Sequence, residues 1–300
     1  MNALRPAIRL SVALVTHNRP RSLERALVSL REQDVQPWEV IISDDSDESS
    51  ALAIRELARS YGCRYVRGPA RGLYANRNHS ALACGGTHIR TMDDDHELPP
   101  GHIDRCVEGI SEDPGAVWII SEETPSRPRS DVCPPQLHPR GFAAPPKPGQ
   151  ACWAIADGAT IYPREVFDRG LRFVEDFPSG AAFLEWGSRL HWLGYRIRHL
   201  NATYVFHRAE VSSELIFTAE ADRTSRFFAM LSHSFLYQPT VRNKLLTSAE
   251  LARQVVQNGH AGWSSLRRAH SIYRRHRASL ATLRSGERAE AREPRARHPA

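Results

Sequence analysis

The sequence has no long apolar stretch. Its longest purely apolar runs span a handful of residues, such as residues 12–15, whereas a membrane-spanning helix needs roughly 20 consecutive apolar residues. Residues 1–9 contain neither the apolar core nor the cleavage pattern of a signal peptide. We therefore expect a cytoplasmic protein, and a polytopic membrane synthase is disfavoured.

Cysteine and lysine are both scarce. The five cysteines are scattered and odd in number, and no pair has the spacing of a metal or redox motif. This distribution favours free thiols in a reducing compartment. Only two lysines occur against 38 arginines, which we interpret as a coding bias and not as a functional signal.

A net positive charge is also missing from most of the chain, although the whole chain carries +6. Residues 264–300 hold ten arginines and three glutamates, a net charge of +7, which leaves residues 1–263 at −1. Nucleic-acid binding by the main body would need a basic face there. We therefore expect no nucleic-acid partner.

Carboxylates, by contrast, are concentrated at one point. Asp93, Asp94 and Asp95 end a short run that is typical of a strand, and two prolines follow at positions 99 and 100. Three adjacent like charges are costly unless a cation or many hydrogen bonds offset them. Alternate residues of a strand face the same side, so Asp93 and Asp95 should point one way and Asp94 the other. Such a pair can bind Mg²⁺ or Mn²⁺ with substrate phosphates, although a solvated acidic turn would have a similar sequence.

Apolar strands and amphipathic helices alternate through the first part of the chain. We predict strands at residues 10–16, 38–43 and 63–66, and helices from about residue 20 and over residues 49–61. This order is typical of a doubly wound α/β sheet, in which ligands bind beyond the carboxyl ends of the strands. Polar residues follow three of the strands, at 17–19, 44–45 and 93–95. We expect these three groups to share one crevice.

A phosphate-binding glycine-rich loop is absent from the sequence. Neither GxGxxG nor a Walker-type lysine loop occurs. A nucleotide bound in the crevice would need a metal and an arginine instead. Arg77, in the segment of residues 72–85, is the candidate arginine.

Taken together, these segments resemble family 2 glycosyltransferases with the GT-A fold. The resemblance covers roughly residues 8–210 and keeps the family's order. It is carried by residues 16–20, 44–46, 72–78, 93–100, 189–197 and 202–207. It implies an α/β fold of GT-A type, a mostly parallel twisted sheet flanked by helices, here with a C-terminal helical extension.

The resemblance also implies a nucleotide-diphospho-sugar donor, most often a UDP-sugar. The residues implied in donor binding are Thr16, Asn18, Arg19, Asp44, Asp45, Arg77, Asp93 and Asp94. The implied ligands for Mn²⁺ or Mg²⁺ are Asp95, which is also assigned to catalysis, with Asp93 and His207. A cation and an arginine would stabilise the charge that develops on the diphosphate leaving group.

The catalytic base is where this sequence departs from the family. An inverting transfer needs a group that accepts the acceptor's proton, and the family usually has an acidic pair about six residues before the Arg-Leu that corresponds to Arg189-Leu190. Here Phe183 occupies that position. Glu185 is our candidate base, with Glu175 and Asp176 as alternates. Glu185 could instead form an ion pair with Arg189, four residues away on a predicted helix.

The domain boundaries follow from composition. We expect a GT-A domain over residues 1–215, with a proline-rich loop at 124–150 that orders on acceptor binding, and a return strand at 154–162 in which Asp157 faces the sugar. A helical extension over residues 216–285 should contain helices at 219–237, 248–258 and 263–283, and residues 286–300 form a disordered basic tail. The last helix is basic and amphipathic, which suits peripheral contact with a membrane. The extension could equally form a homodimer.

Other functions remain open at this point. A nucleotidyltransferase would also use a metal on an α/β sheet, but it would need a glycine-rich loop after the first strand, where residues 17–20 contain no glycine. A non-catalytic nucleotide-sugar binding protein is favoured only by the missing acid at position 183. The acceptor could be a natural product, a glycan or a lipid-linked saccharide.

Overall fold

The structure, a computed structural model, describes residues 7–124, 136–145, 155, 157–208 and 218–290, with side chains as far as residue 281. The strands are β1 (Leu10–Thr16), β2 (Glu39–Asp44), β3 (Arg64–Arg67), β4 (His88–Asp93), β5 (His96–Glu97), β6 (Val117–Glu123), β7 (Gln136–Leu137), β8 (Ala143–Ala144), β9 (Thr160–Pro163) and β10 (Ile197–His207). The helices are α1 (Pro20–Arg31), α2 (Glu48–Ser60), α3 (Leu73–Ala83), α4 (His102–Glu112), α5 (Glu165–Asp168), α6 (Ala182–Trp192), α7 (Ala219–Ser232) and α8 (Val241–Glu290), with a π-helical turn at His233–Tyr237.

Eight strands form one sheet in the order β3-β2-β1-β4-β9-β6-β10-β5. The pairs β1/β2, β1/β4, β2/β3 and β6/β10 are parallel, whereas β9 runs antiparallel between β4 and β6 and β5 runs antiparallel to β10. The predicted α/β sheet of mostly parallel strands is confirmed. Thr16 is in register with Asp44, and Val15 with Asp93. The carboxyl ends of β1, β2 and β4 therefore lie side by side.

The core has two layers, one on each face of the sheet. Val12 and Leu14 of β1 belong to a buried cluster that includes Leu23 and Leu27 of α1. Ala13, between them in sequence, belongs to the opposite cluster, with residues of α3, α6, α7 and α8. The period of two along β1 thus divides its side chains between the two layers.

The C-terminal helices differ from the prediction. The first ends at Ser232 and continues as the π-helical turn, and α8 begins at Val241 instead of 248. Thr240 accounts for that start, because its hydroxyl accepts a hydrogen bond from the backbone N–H of Asn243 at 3.1 Å, as a helix cap does. The predicted interruption after residue 258 falls at Gly259, whose φ of 52° and ψ of −130° break α8.

The middle of the chain contains less strand than expected. The return strand is β9, which begins only at Thr160, and residues 151–154 and 156 lie outside the described part. Of the proline-rich segment, the structure describes the small β7–β8 pair and its surroundings, and residues 125–135 and 146–150 lie outside the described part. Among the described helices, none combines the length and apolar character that crossing a bilayer requires.

Candidate active site

The acidic triplet follows β4 at the edge where β1 and β2 also end. β4 stops at Asp93, and Asp94 and Asp95 form a turn before β5. The strand alternation expected for the three carboxylates therefore does not hold, because the pleat ends at the first of them. Asp94 and Asp95 instead share one partner.

That partner is Arg19, which follows β1. Its Nη2 lies 2.5 Å from Asp94 Oδ1, and its Nη1 lies 2.9 Å from Asp95 Oδ2. Thr16, the last residue of β1, donates its hydroxyl to Asp94 Oδ2 at 2.7 Å. The end of β1 thus holds the two carboxylates of the turn, as the shared crevice predicted.

Asp93 has a separate partner, Arg77 of α3. The two form ion pairs of 2.8 and 3.0 Å, and the Nε of Arg77 lies 3.3 Å from Asp157 Oδ2. Arg77 is buried, while Asp157 keeps a 20 % exposed side chain. Burial raises the pKa of Asp157 to about 6, although the charge of Arg77 opposes this rise. Asp157 is therefore a partly accessible carboxyl group that titrates near neutral pH.

Two histidines complete the cluster. His207, at the end of β10, lies 3.6 Å from Asp95 Oδ2 through Nε2 and 3.2 Å from Glu122 Oε2 through Nδ1. His96, on β5, is fully buried, and neither of its ring nitrogens has a hydrogen-bond partner among the described residues. One nitrogen or oxygen atom from each of Asp95, His96 and His207 lies within 4.8 Å of the other two. Three such groups can hold a metal ion.

Burial and neighbouring charges set the protonation of this cluster. Burial raises the pKa of Asp94 to about 7, although Arg19 opposes the rise. Burial also disfavours a charge on Asp95, but the contact with His207 and nearby cationic groups outweigh burial and hold the pKa below its ordinary value. The contacts of His207 with Asp95 and Glu122 raise its pKa to about 10. Negative and positive groups therefore set one another's protonation in this cluster.

Asp95 Oδ1 and the ring of His96 show that this balance is incomplete. Asp95 Oδ1 is buried and has no hydrogen-bond partner in the described part of the chain. The same is true of both ring nitrogens of His96. Burial lowers the pKa of His96, so its ring is neutral and offers a lone pair. Unsatisfied buried oxygen and nitrogen acceptors fit a divalent cation.

The end of β2 supplies the other predicted donor-side residues. Asp44 is fully buried and accepts hydrogen bonds from Ser46 N–H at 2.8 Å and the Tyr65 hydroxyl at 2.9 Å. Asp45 is only half-buried, and its Oδ1 accepts a hydrogen bond from the backbone of Ala70 at 2.8 Å. Of these two residues implied in donor binding, Asp45 is the accessible one.

Asn18 links this edge to the first strand. It adopts a positive φ of 56°, its N–H donates to the Ser46 hydroxyl at 2.7 Å, and its side chain accepts from the Asp47 N–H at 3.0 Å. Asparagine tolerates this conformation better than most residues. Asn18 therefore fixes the loop after β1 against the loop after β2.

Glu185, the predicted base, lies in a different environment. It is fully buried on α6 and forms a 3.1 Å ion pair with Arg189. Tyr237 of the π-helical turn donates a hydrogen bond to Glu185, and His276 of α8 lies 3.0 Å away. This placement favours the alternative role as a structural acid over the role of base.

The alternates are also engaged in structural contacts. Glu175 lies 2.8 Å from Arg71 and accepts a hydrogen bond from the side chain of Asn78. Asp176 forms a 2.5 Å ion pair with Arg275 of α8. Neither contact involves the acidic triplet.

Two residues at the cluster were missed or undervalued in the sequence. Glu122 ends the apolar run of β6, the same pattern that pointed to the ends of β1, β2 and β4, and this signal could have revealed it. His96 is hard to single out from the sequence, because one histidine beside an acidic turn carries little information. Its burial against His207, with ring centroids 5.0 Å apart, could not be read from the sequence.

The fold and the position of this cluster define a GT-A type of protein, and solved structures share that architecture. S. aureus TarS 1–349 in complex with UDP-GlcNAc matches with a TM-score of 0.62 at 16% identity, over 83% of this chain and 73% of that chain. GalNAc-T7 with UDP, GalNAc and Mn²⁺ matches with a TM-score of 0.64 at 15% identity, over 82% of this chain and 55% of that chain.

Sequence comparison identifies the family. A sequence model described as glycosyl transferase family 2 matches residues 11–171. The GalNAc(5)-diNAcBac-PP-undecaprenol beta-1,3-glucosyltransferase of Campylobacter jejuni is 29% identical over 112 residues, which are 35% of each protein. The chain belongs to glycosyl transferase family 2. The matched segment spans little more than a third of the length of its curated relatives.

Proposed function

We propose that this protein transfers a sugar, with inversion, from a nucleotide-diphospho-sugar to an acceptor at the carboxyl ends of β1, β2 and β4. One observation carries the proposal. Three carboxylates and two histidines meet there, and Asp95 Oδ1 and the His96 ring are buried without partners among the described residues. A catalytic site for a diphosphate leaving group needs such an arrangement of groups that bind a cation.

The cation that best suits these groups is Mn²⁺. Asp95 and His207, which the family resemblance implies, would hold it together with His96. Asp93, the third implied ligand, would join them only by giving up an oxygen that Arg77 holds. Mg²⁺ prefers oxygen ligands, whereas imidazole nitrogens suit transition metals. A bound cation would act as a Lewis acid on the diphosphate. The solved structure of GalNAc-T7 also contains Mn²⁺, which supports this choice.

The donor-side residues have distinct tasks. Arg19 and Thr16 orient the turn that carries Asp94 and Asp95. Asp45 is accessible to a ribose or base hydroxyl, and Asn18 fixes the loop beside it. UDP is our first choice of nucleotide, because the TarS and GalNAc-T7 structures contain UDP-GlcNAc and UDP.

Asp157 is the carboxyl group placed to accept the acceptor's proton. Asp157 Oδ2 lies 3.3 Å from the guanidinium of Arg77, which also binds Asp93. Asp157 therefore lies beside Asp93. Its raised pKa, about 6, gives an ionised base at neutral pH that still binds a proton readily. Glu185 has no comparable access, since its carboxylate is enclosed by Arg189, Tyr237 and His276.

Thermal unfolding with UDP, GDP and dTDP, each with and without Mn²⁺, tests the donor site. A ligand that binds only the folded protein adds about 2.7 kcal/mol at 100 times its Kd. We expect a shift with UDP that requires Mn²⁺ and is lost in Asp95→Asn. Asp104→Asn, on α4, is the matched control. A shift that survives Asp95→Asn would contradict the proposal.

A second function is non-catalytic binding of a nucleotide sugar, and the enclosed position of Glu185 favours it. Release of UDP from a UDP-sugar separates the two functions. Binding without release, across candidate sugars and acceptors, would establish the binding protein. The acceptors to screen include lipid-linked saccharides, because the name of the Campylobacter jejuni relative describes one.

A further inference from the structure

The second half of α8 exposes one continuous basic face. After the break at Gly259, one side of the helix is buried through residues such as Ile272 and Leu280. The opposite side faces solvent, and helical spacing aligns five of its residues within one stripe. We call these five residues the basic face: Trp263, Arg267, His270, Arg274 and Arg277.

This half of α8 carries no acidic residue of its own before Glu287. The chain contains no Asp or Glu between Glu250 and Glu287. Arg268 and Arg275, on the flank of the helix, reach carboxylates on Glu220 and Asp176 at 4.0 and 2.5 Å. Those contacts tie α8 to the rest of the protein and fix the orientation of the stripe.

The arginines of the basic face have no such partners. Arg267, Arg274 and Arg277 form no ion pair with any residue that the structure describes, and all three are exposed. An unpaired guanidinium does little for the stability of the fold, because solvent screens it. Three of them on one stripe create a local positive potential that attracts anions.

Two guanidinium groups of the basic face, those of Arg274 and Arg277, border one open depression on the surface of α8. The residues that line this depression are His270, Tyr273, Arg274, Arg277, Ala278 and Ala281. Arginine binds phosphate oxygens through paired N–H groups.

Trp263 lies at the start of the stripe with a 52% exposed side chain. A large aromatic ring in solvent is unfavourable unless another surface covers it. Indole rings are enriched where lipid headgroups meet hydrocarbon, since one edge is apolar and the N–H is polar. The apolar side of α8 is already occupied by the protein, so contact would involve only Trp263 and the cations.

We propose that the basic face binds the surface of an anionic phospholipid bilayer, with the arginines on headgroup phosphates and Trp263 in the interface. A second copy of the chain is a poorer partner for this face, because a symmetric pair would oppose arginines to arginines. Nucleic acid would also neutralise the arginines, and the oligonucleotide arm of the test below separates it from the bilayer.

Vesicle co-sedimentation of the full chain tests this proposal. The probes are vesicles of phosphatidylcholine alone and of phosphatidylcholine mixed with phosphatidylglycerol. We expect binding to the mixed vesicles only, weakened by salt. Each arginine near an anionic surface contributes roughly fivefold to partitioning, so the triple variant Arg267→Gln/Arg274→Gln/Arg277→Gln should bind about 100-fold more weakly.

The matched control removes the same charge elsewhere, in Arg55→Gln/Arg59→Gln/Arg105→Gln, and should bind like the parent. Trp263→Ala should weaken binding with the arginines intact. Equal binding by the two triple variants would overturn the proposal, as would parental binding to a DNA or RNA oligonucleotide without binding to vesicles. The UDP-dependent thermal shift checks that each variant folds, and it distinguishes failure of this proposal from failure of the donor site.

Discussion

Arg77 joins the carboxylates of Asp93 and Asp157. Its guanidinium lies 2.8 Å from Asp93 Oδ1 and 3.3 Å from Asp157 Oδ2, and its side chain is 2% exposed. The neighbouring carboxylates outweigh the effect of burial and raise the pKa of Arg77 above its ordinary value. One buried cation therefore compensates two carboxylates and fixes their positions relative to each other.

We expect Arg77→Met to be strongly destabilising. Removing one partner of a buried ion pair leaves uncompensated charge, at a cost of about 3–5 kcal/mol. Urea unfolding at neutral pH measures this loss. The matched change Arg105→Met breaks an exposed ion pair to Glu108, and exposed pairs contribute about 0–1 kcal/mol. Similar losses in the two variants would show that Arg77 is not the buried bridge described here.

Asp157→Asn should lower turnover and leave donor binding nearly unchanged. Loss of a general base lowers turnover by roughly 100-fold or more, while donor binding should change little, because Asp93 and Asp95 remain. A base must be ionised, so parental activity should fall as the pH drops below about 6, the pKa to which burial raises Asp157. Asp157→Asn should lack this acid limb. Release of UDP from a UDP-sugar across pH provides both measurements.

The same assay decides between Asp157 and Glu185. Turnover in Glu185→Gln should stay near the parental value where the variant is folded. A loss of the acid limb in Glu185→Gln, with parental behaviour in Asp157→Asn, would restore Glu185 as the base.

Glu185 should instead determine stability at acid pH. Burial opposes its charge, but Arg189 and His276 outweigh burial and lower its pKa to about 2, from an ordinary value near 4.5. Because the pKa of Glu185 is lower in the folded than in the unfolded state, its ionised carboxylate stabilises the fold above pH 4.5. This stabilisation, about 3 kcal/mol, is lost as the pH falls toward 2. Denaturant unfolding of the parent and of Glu185→Gln, from pH 7 to pH 2, measures this contribution.

The two proteins should differ most at neutral pH and converge near pH 2. The control is Glu165→Gln, which removes an exposed carboxylate of α5. A constant difference between parent and Glu185→Gln over the whole range would contradict the proposed ionisation of Glu185.

The local sequence predicted which site residues lie at the ends of the strands. The apolar runs of β1 and β2 end at Thr16 and Asp44, and parallel register puts those ends beside each other and beside Asp93. The predicted alternation of side-chain directions fails after Asp93, because β4 ends there and a turn follows. The direction of Asp94 and Asp95 then depends on Arg19, whose reach could not be read from local sequence.

Contacts between distant segments set the rest. The spacing of Glu185 and Arg189 indicated an ion pair, but the partners that enclose Glu185 come from residues 237 and 276. No periodicity connects those positions with α6. His96 likewise gains its burial from the end of β10, more than a hundred residues later.

Gly158→Ala provides the last test, since the backbone of Gly158 passes directly against the site. A Cβ at this position would lie 2.2 Å from Asp93 Oδ2 and 3.0 Å from His96 Cε1. Asp93 has little room to move because Arg77 holds both of its oxygens. We expect displacement of the carboxylate, and a misplacement near 1 Å can cost roughly 100-fold in rate. Overpacking should also cost about 1–3 kcal/mol in stability.

Release of UDP with Mn²⁺ and urea unfolding measure the two effects of Gly158→Ala. Gly115→Ala is the matched control, because its added methyl meets only Arg196 Nη2 at 3.7 Å. Parental turnover in Gly158→Ala would mean that Asp93 does not occupy this position during the reaction, and the metal site would then have to be built from Asp95, His96 and His207 alone.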